Sequence, residues 1–209
     1  NPNPEDMEML HVLSDKVKET GADVGLAFDG DGDRLGVVTK DGQIIYPDRQ
    51  LMLFAADVLS RNAGAQILYD VKCTRHLASW IKAHGGQPLM WKTGHSLVKA
   101  KLKETGSPLG GEMSGHVFFK HQYYGFDDAL YAAVRLIRAA TSIGKSVTQL
   151  RGDMPAMVNT PEMRFQVDES RKFAAVDEVL TRLKASGAEV NDTDGARVNT
   201  ADGDRKSVV

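Results

Sequence analysis

The chain has almost no cysteine and no marked excess of charge of either sign. A single cysteine among 209 residues excludes an internal disulfide and any zinc cluster built on cysteines. With 26 Lys and Arg against 28 Asp and Glu, the formal net charge is −2, which gives no electrostatic case for nucleic-acid or anionic-membrane partners. No apolar run approaches the roughly 20 residues that span a bilayer, and the first residues are not typical of a signal peptide. We therefore expect a cytoplasmic globular protein with no nucleic-acid and no membrane partner.

Helical and strand patterns alternate along most of the chain. The sequence predicts helices near 4–21, 47–62, 74–84, 95–105, 126–142 and 170–186, and strands near 23–28, 35–39, 43–46, 66–71, 88–91, 117–119 and 162–167, with a glycine-bracketed loop over 110–115. Strands separated by helices of about 10–15 residues are typical of a doubly wound sheet. We predict an α/β fold with mixed, mostly parallel sheets and helices on both faces, repeated in two domains. Beyond a linker near 152–155, an incomplete α+β piece follows.

The most distinctive motif, Asp29-Gly30-Asp31-Gly32-Asp33-Arg34, lies between two predicted strands. Three carboxylates at alternate positions repel one another, and a bound cation would remove that repulsion. The glycines allow the backbone to curl so that the carboxylates point to one place. An all-oxygen ligand set favours Mg²⁺ over zinc, and Arg34 would bind a phosphate oxygen beside the ion.

This acidic motif has three alternative interpretations. An EF-hand loop requires glycine at its sixth position and glutamate at its twelfth, where this chain has Arg34 and Lys40, so that interpretation fails. A solvated acidic turn without a ligand stays open. An aspartyl-phosphatase loop also stays open, with Asp29 as the nucleophile and Asp31 as the acid/base.

A second motif, Gly111-Glu112-Met113-Ser114-Gly115-His116, precedes a predicted strand. Its carboxylate, hydroxyl and imidazole suit a polyhydroxylated ligand such as a sugar, and His116 would move a proton near neutral pH. The alternative is a tight turn with a capping serine. A Ser-His-Glu hydrolase triad is disfavoured, because groups so close in one loop rarely align.

Basic side chains occur at two places where a predicted strand leads into a predicted helix. Lys92-Thr93-Gly94-His95-Ser96 would bind an anion through backbone N–H groups, Lys92 and His95. Lys72 has the same placement after the strand at 66–71. The alternative is that the basic helix at 95–105 simply presents a solvated face.

In this order and spacing, the motifs at 29–34, 92–96 and 111–116 resemble those of the α-D-phosphohexomutases, in particular the bacterial phosphomannomutase/phosphoglucomutase branch. The resemblance implies Mg²⁺ bound by Asp29, Asp31 and Asp33, with a phosphoserine as a further ligand. It implies catalytic roles for Arg34, Lys72, His95 and His116, and substrate binding by Lys92, Glu112, Ser114 and His116.

The resemblance also implies a reaction: interconversion of the 1- and 6-phosphates of mannose and/or glucose through a bisphosphate intermediate. It places residues 1–47 in the C-terminal part of a metal-binding second domain, 48–152 in a sugar-binding third domain, and 153–209 in an incomplete phosphate-binding fourth domain. The family's serine loop does not occur in this sequence, so we expect that the chain alone cannot complete a mutase cycle. A non-catalytic sugar-phosphate and Mg²⁺ binding module, or an aspartyl-phosphate phosphatase, are the alternatives.

Overall fold

The computed structural model describes residues 3–4, 6–158, 160, 163 and 165–207, and its elements fall into two units, residues 1–155 and 156–209. The first unit contains α1 (Met7–Thr20), β1 (Val24–Phe28), β2 (Leu35–Thr39), β3 (Ile44–Ile45), α2 (Pro47–Leu59), β4 (Gln66–Asp70), α3 (His76–Ala83), β5 (Gln87–Trp91), α4 (His95–Thr105), β6 (Leu109–Gly111), β7 (Val117–Phe119), α5 (Ala129–Ile143) and α6 (Val147–Gly152). The second contains α7 (Lys172–Ala185), β8 (Val190–Asn191), β9 (Ala196–Asn199) and β10 (Asp204–Ser207). In this described part of the chain, no helix is both long and apolar enough to cross a membrane.

The predicted mixed α/β class is confirmed, with one correction to strand direction. In the four-stranded sheet β5-β4-β6-β7, β4 is parallel to β5 and β6, whereas β7 is antiparallel to β6. The sheets β1-β2-β3 and β10-β9-β8 are antiparallel throughout. Mostly parallel pairing therefore holds only for the four-stranded sheet. The reason is connection length: parallel neighbours need a crossover of about a dozen residues or more, and the loops at 29–34 and 40–43 are shorter.

Helix α2 lies at the centre of the first unit. Most of its residues are buried, as expected for a helix enclosed on all sides. One hydrophobic cluster joins α2 and α5 to both sheets, through Leu35 and Val37 of β2 and Ile67 of β4. Leu68, which points to the opposite face of β4, packs in a separate cluster with α4. Helices therefore cover both faces of the four-stranded sheet, as predicted, and the shared core holds the two sheets side by side.

Strand β6 was not predicted, since its segment reads as part of a glycine-rich loop. Gly110 and Gly111 pair with β4 on one side and β7 on the other. A Cβ on Gly111 would lie 2.9 Å from both Cδ atoms of buried Leu51, so glycine permits the close approach of α2. Tertiary pairing overrides the low strand propensity of glycine at this place.

The second unit forms more strands than the sequence suggested. Its predicted polar tail is a three-stranded antiparallel sheet packed on α7, and buried Arg197 pairs with Asp204 at 2.8 Å. Of the predicted strand at 162–167, Glu162 and Arg164 lie outside the described residues, and 165–167 form no strand. Helix α6 of the first unit was also not predicted. It begins with a capping box between Ser146 and Gln149.

Candidate functional site

The acidic loop between β1 and β2 is organised around the Asp29 carboxylate. Its Oδ1 accepts backbone N–H bonds from Gly32 (3.1 Å), Asp33 (3.0 Å) and Arg34 (3.1 Å). Its Oδ2 accepts from Nε of Arg34 at 2.6 Å. Burial raises the pKa of Asp29, but the hydrogen bonds and charge of Arg34 outweigh it and lower that pKa to about 2. Gly32, at φ +77°, provides the left-handed turn that brings these donors onto one carboxylate.

The three aspartates of the loop form a cluster suited to one cation. Ligand oxygens of Asp29, Asp31 and Asp33 all lie within 4.8 Å of one another. Burial, together with the neighbouring carboxylates, raises the pKa of Asp33 to about 6. A divalent cation would relieve this crowding of negative charge, and oxygen ligands in this number fit Mg²⁺ that keeps several waters or phosphate oxygens. The donor set therefore fits the expected ion.

His116 joins the acidic loop to the loop at 111–116. The backbone of His116 forms a β-bridge with Arg34, and Leu35 N–H donates to the Gly115 carbonyl at 3.3 Å. On the imidazole, Nε2 lies 3.5 Å from an oxygen of Asp33. Nδ1 lies 2.8 Å from the Ser114 hydroxyl. Burial is the largest influence on the pKa of His116 and lowers it. Two motifs some 80 positions apart in the sequence thus meet in one place.

Glu112 is a buried carboxylate directly behind His116. Its side chain is 2% exposed, and Oε1 accepts the Gly94 N–H at 2.6 Å. Burial, partly offset by that bond, raises the pKa of Glu112 to about 7. The bond thus uses the N–H of Gly94, one of the backbone donors in the motif at 92–96, for which an anion site stays a prediction.

Asp127 is a site residue that the sequence did not reveal. Its carboxylate is 6% exposed and lies against three basic groups: Lys99 Nζ at 2.9 Å, His95 Nδ1 at 3.6 Å and His116 Nε2 at 3.9 Å. The rings of His95 and His116 stack, with centroids 5.5 Å apart. Asp127 stands just before α5, where acidic residues are common as caps, so its sequence context gave no distinguishing signal.

The two remaining lysines are placed differently. Burial raises the pKa of Asp70 and of Glu112, and the charge of half-buried Lys72 partly offsets that rise, so Lys72 lies close enough to act on both carboxyl groups. Lys92 is exposed at the end of β5, and no described contact brings it to the other site residues. Of the predicted residues, the structure therefore brings together Asp29, Asp31, Asp33, Arg34, Lys72, His95, Glu112, Ser114 and His116.

Comparison with known proteins gives a consistent result. Residues 1–42 match phosphoglucomutase/phosphomannomutase, alpha/beta/alpha domain II, and residues 46–157 match alpha/beta/alpha domain III. The Phosphomannomutase/phosphoglucomutase of Pseudomonas putida is 53% identical over 203 residues, covering 97% of this chain and 44% of that protein. The Phosphoglucomutase of Neisseria gonorrhoeae is 50% identical over 205 residues, with the same two coverages.

A solved structure shows the same likeness. The crystal structure of a phosphoglucomutase/phosphomannomutase family protein from Burkholderia thailandensis has a TM-score of 0.89 and 56% identity to this chain. The match covers 99% of this chain and 44% of that one. The chain thus spans less than half the length of the relatives it matches.

Proposed function

The chain belongs to the phosphoglucomutase/phosphomannomutase family, and from this premise we propose that it is the metal- and sugar-binding portion of a phosphohexomutase. The proposed reaction interconverts hexose 1-phosphate and hexose 6-phosphate, with mannose, glucose or both as the sugar. Phosphoryl transfer would pass through a bisphosphate intermediate and a phosphoserine carried outside these residues. The assignment of 1–47, 48–152 and 153–209 to parts of the family's second, third and fourth domains belongs to the same proposal.

The meeting of the acidic loop with the loop at 111–116 carries this proposal. Phosphoryl transfer to a sugar hydroxyl requires a cation site, a phosphate-binding cation and a hydroxyl-binding group in one place. Arg34 and His116 pair through their backbones, and Asp33 lies 3.5 Å from the His116 ring. A solvated acidic turn would not need a half-buried histidine, a buried glutamate and a further aspartate, Asp127, around it.

Different side chains of the site would bind the metal ion, the phosphate and the sugar hydroxyls. When bound at Asp29, Asp31 and Asp33, Mg²⁺ supplies positive charge that offsets the charge of the transferring phosphoryl group. Arg34, with Lys72 and His95 nearby, would pair with phosphate oxygens. Glu112 and Ser114 would bind sugar hydroxyls, which present both donors and acceptors.

His116 would exchange a proton with the reacting hydroxyl. Ser114 holds its Nδ1, which leaves Nε2 directed toward the acidic loop. In this position the ring can exchange a proton with a sugar hydroxyl that lies beside the phosphoryl group.

The aspartyl-phosphatase alternative would use the same acidic loop. Asp29 is its candidate nucleophile, and Oδ2 of this residue, paired with Nε of Arg34, is also the oxygen closest to the guanidinium. Because a carboxylate oxygen with a second lone pair can bind a cation or attack phosphorus, this alternative stays open. A binding module without catalysis stays as the second candidate, since it would use the same site.

The test is calorimetric titration of the chain, first with Mg²⁺ and then with glucose 1-phosphate, mannose 1-phosphate and glucose 1,6-bisphosphate. We expect Mg²⁺-dependent binding of these ligands, and Asp31→Asn, an exposed ligand, should weaken Mg²⁺ binding by about tenfold or more. Asp15→Asn, an exposed carboxylate on α1, is the matched control. Failure of the unmodified chain to bind any hexose phosphate would refute the proposal.

Turnover separates the remaining possibilities. The chain alone should bind without interconverting the phosphates, and turnover by the purified chain would show that the phosphoserine is not required from elsewhere. Radioactive phosphate trapped on Asp29 would instead support the phosphatase.

A further inference from the structure

Asp70 stands at the carboxyl end of β4, the central parallel strand, and is fully buried. In the sequence this residue lies within the predicted strand at 66–71. At this edge of the sheet, three loops meet: residues 71–75 after β4, 92–94 after β5, and 112–116 after β6. Each loop carries or directly precedes a proposed ligand-contacting residue.

The Asp70 carboxylate accepts hydrogen bonds from all three loops. Oδ1 accepts from the backbone N–H of Cys73 at 3.2 Å and from its thiol at 3.0 Å. The same oxygen accepts the Met113 N–H at 3.2 Å, and Oδ2 accepts the Thr93 hydroxyl at 3.1 Å. One side chain therefore contacts every loop that the site uses on this sheet.

The residues tied in this way are neighbours of those proposed to bind the ligand. Cys73 follows Lys72, Thr93 lies between Lys92 and the start of α4, and Met113 stands between Glu112 and Ser114. A second link, from the Gly94 N–H to Glu112, joins two of the same loops. Hydrogen bonds to a buried carboxyl group are directional, so they fix loop positions more firmly than apolar contacts do.

We propose that Asp70 is a positioning residue that sets the relative placement of the loops at 71–75, 92–94 and 112–116, and thereby the sugar-phosphate affinity of the site. The proposal rests on the proposed function only for its ligand. Its structural half, the coupling of three loops through one carboxylate, can be tested without any ligand.

The ligand-free test is hydrogen exchange measured by mass spectrometry. In Asp70→Ala, peptides covering all three loops should exchange faster together, while peptides covering α1, which packs on β1 and β2, should be unchanged. Asp70→Asn keeps an oxygen for the Cys73 and Met113 N–H groups, so it should restore protection of those loops. Faster exchange confined to 71–75 would show that Asp70 is only a local turn residue, and would overturn the proposal.

The ligand test is titration with glucose 1,6-bisphosphate in the presence of Mg²⁺. Asp70→Ala should weaken binding by about 10- to 100-fold, the range typical when a residue that orients ligand-contacting groups is removed, and Asp70→Asn should recover most of the affinity. Asp57→Ala is the matched control, because Asp57, on α2, is also buried, but its ion pairs in the described part of the chain involve none of the three loops. It pairs instead with Arg61, just after α2, and with Arg135 of α5. It should lower stability without changing affinity.

The two proposals fail in different ways. If the unmodified chain binds no hexose phosphate, the proposed function fails, and hydrogen exchange still decides the role of Asp70. If the unmodified chain binds and Asp70→Ala binds equally well, the positioning role is wrong while the proposed function stands. An affinity loss that is as large in Asp57→Ala would assign the effect of Asp70→Ala to general destabilisation and refute the inference.

Discussion

Glu112→Gln should remove a pH-dependent penalty on the stability of the first unit. Glu112 is 2% exposed, and burial raises its pKa from the ordinary 4.5 to about 7. In unfolded chains the carboxyl ionises near pH 4.5, whereas in the folded protein it keeps its proton until about pH 7. Between these values the folded state binds more protons, so the free energy of unfolding of the unmodified chain falls as the pH rises.

The size of this effect follows from the two pKa values. At about 1.4 kcal/mol for each tenfold change in proton affinity, the rise from 4.5 to about 7 corresponds to roughly 3 kcal/mol. Gln is neutral at every pH and keeps an oxygen that can accept the Gly94 N–H. The variant should therefore gain about 3 kcal/mol relative to the unmodified chain between pH 4.5 and pH 8, and no more above that.

Urea unfolding followed by tryptophan fluorescence measures this difference. Both tryptophans of the chain, Trp80 and Trp91, lie in the first unit and pack on its clusters, so the signal reports on the unit that contains Glu112. The titration is done with a chelator present, which keeps divalent cations from the acidic loop. Glu104→Gln, on the exposed side of α4, is the control and should show no pH-dependent difference. A gap between Glu112→Gln and the unmodified chain that is the same at pH 4.5 and pH 8 would refute this account of the buried carboxyl.

Three further changes test the packing that holds the site, each by urea unfolding. Gly111→Ala should lower the free energy of unfolding by about 1–3 kcal/mol because its Cβ would press on buried Leu51, whereas Gly152→Ala, with open space around it, should be neutral; equal effects would contradict the close approach. Arg135→Met should cost about 3–5 kcal/mol by leaving the Asp57 carboxylate buried without this partner, and a cost below 1 kcal/mol would show that solvent reaches Asp57. Ser146→Ala should cost about 1 kcal/mol through loss of the cap of α6, and no change would mean that the capping box contributes nothing.

Much of the local structure could be predicted from the sequence because its signals are local. The bounds of α4, β2 and β7 are as predicted, since hydrophobic period and flanking glycines act within a few residues. The acidic motif is also local: glycines alternating with carboxylates indicate a loop that gathers oxygen ligands whatever surrounds it. The resemblance then supplied the family, which the matches confirm.

What the tertiary structure decided depends on contacts between distant segments. Strand β6 exists because β4 and β7 pair with it, against the preference of its two glycines. Asp127 joins the site because α4 brings His95 and Lys99, and the loop before β7 brings His116, around it. Asp70 contacts three loops because parallel strands place their carboxyl ends at one edge. A sequence pattern shows which face of an element will be buried, but it does not show which other segment covers that face, and the site is made at those junctions.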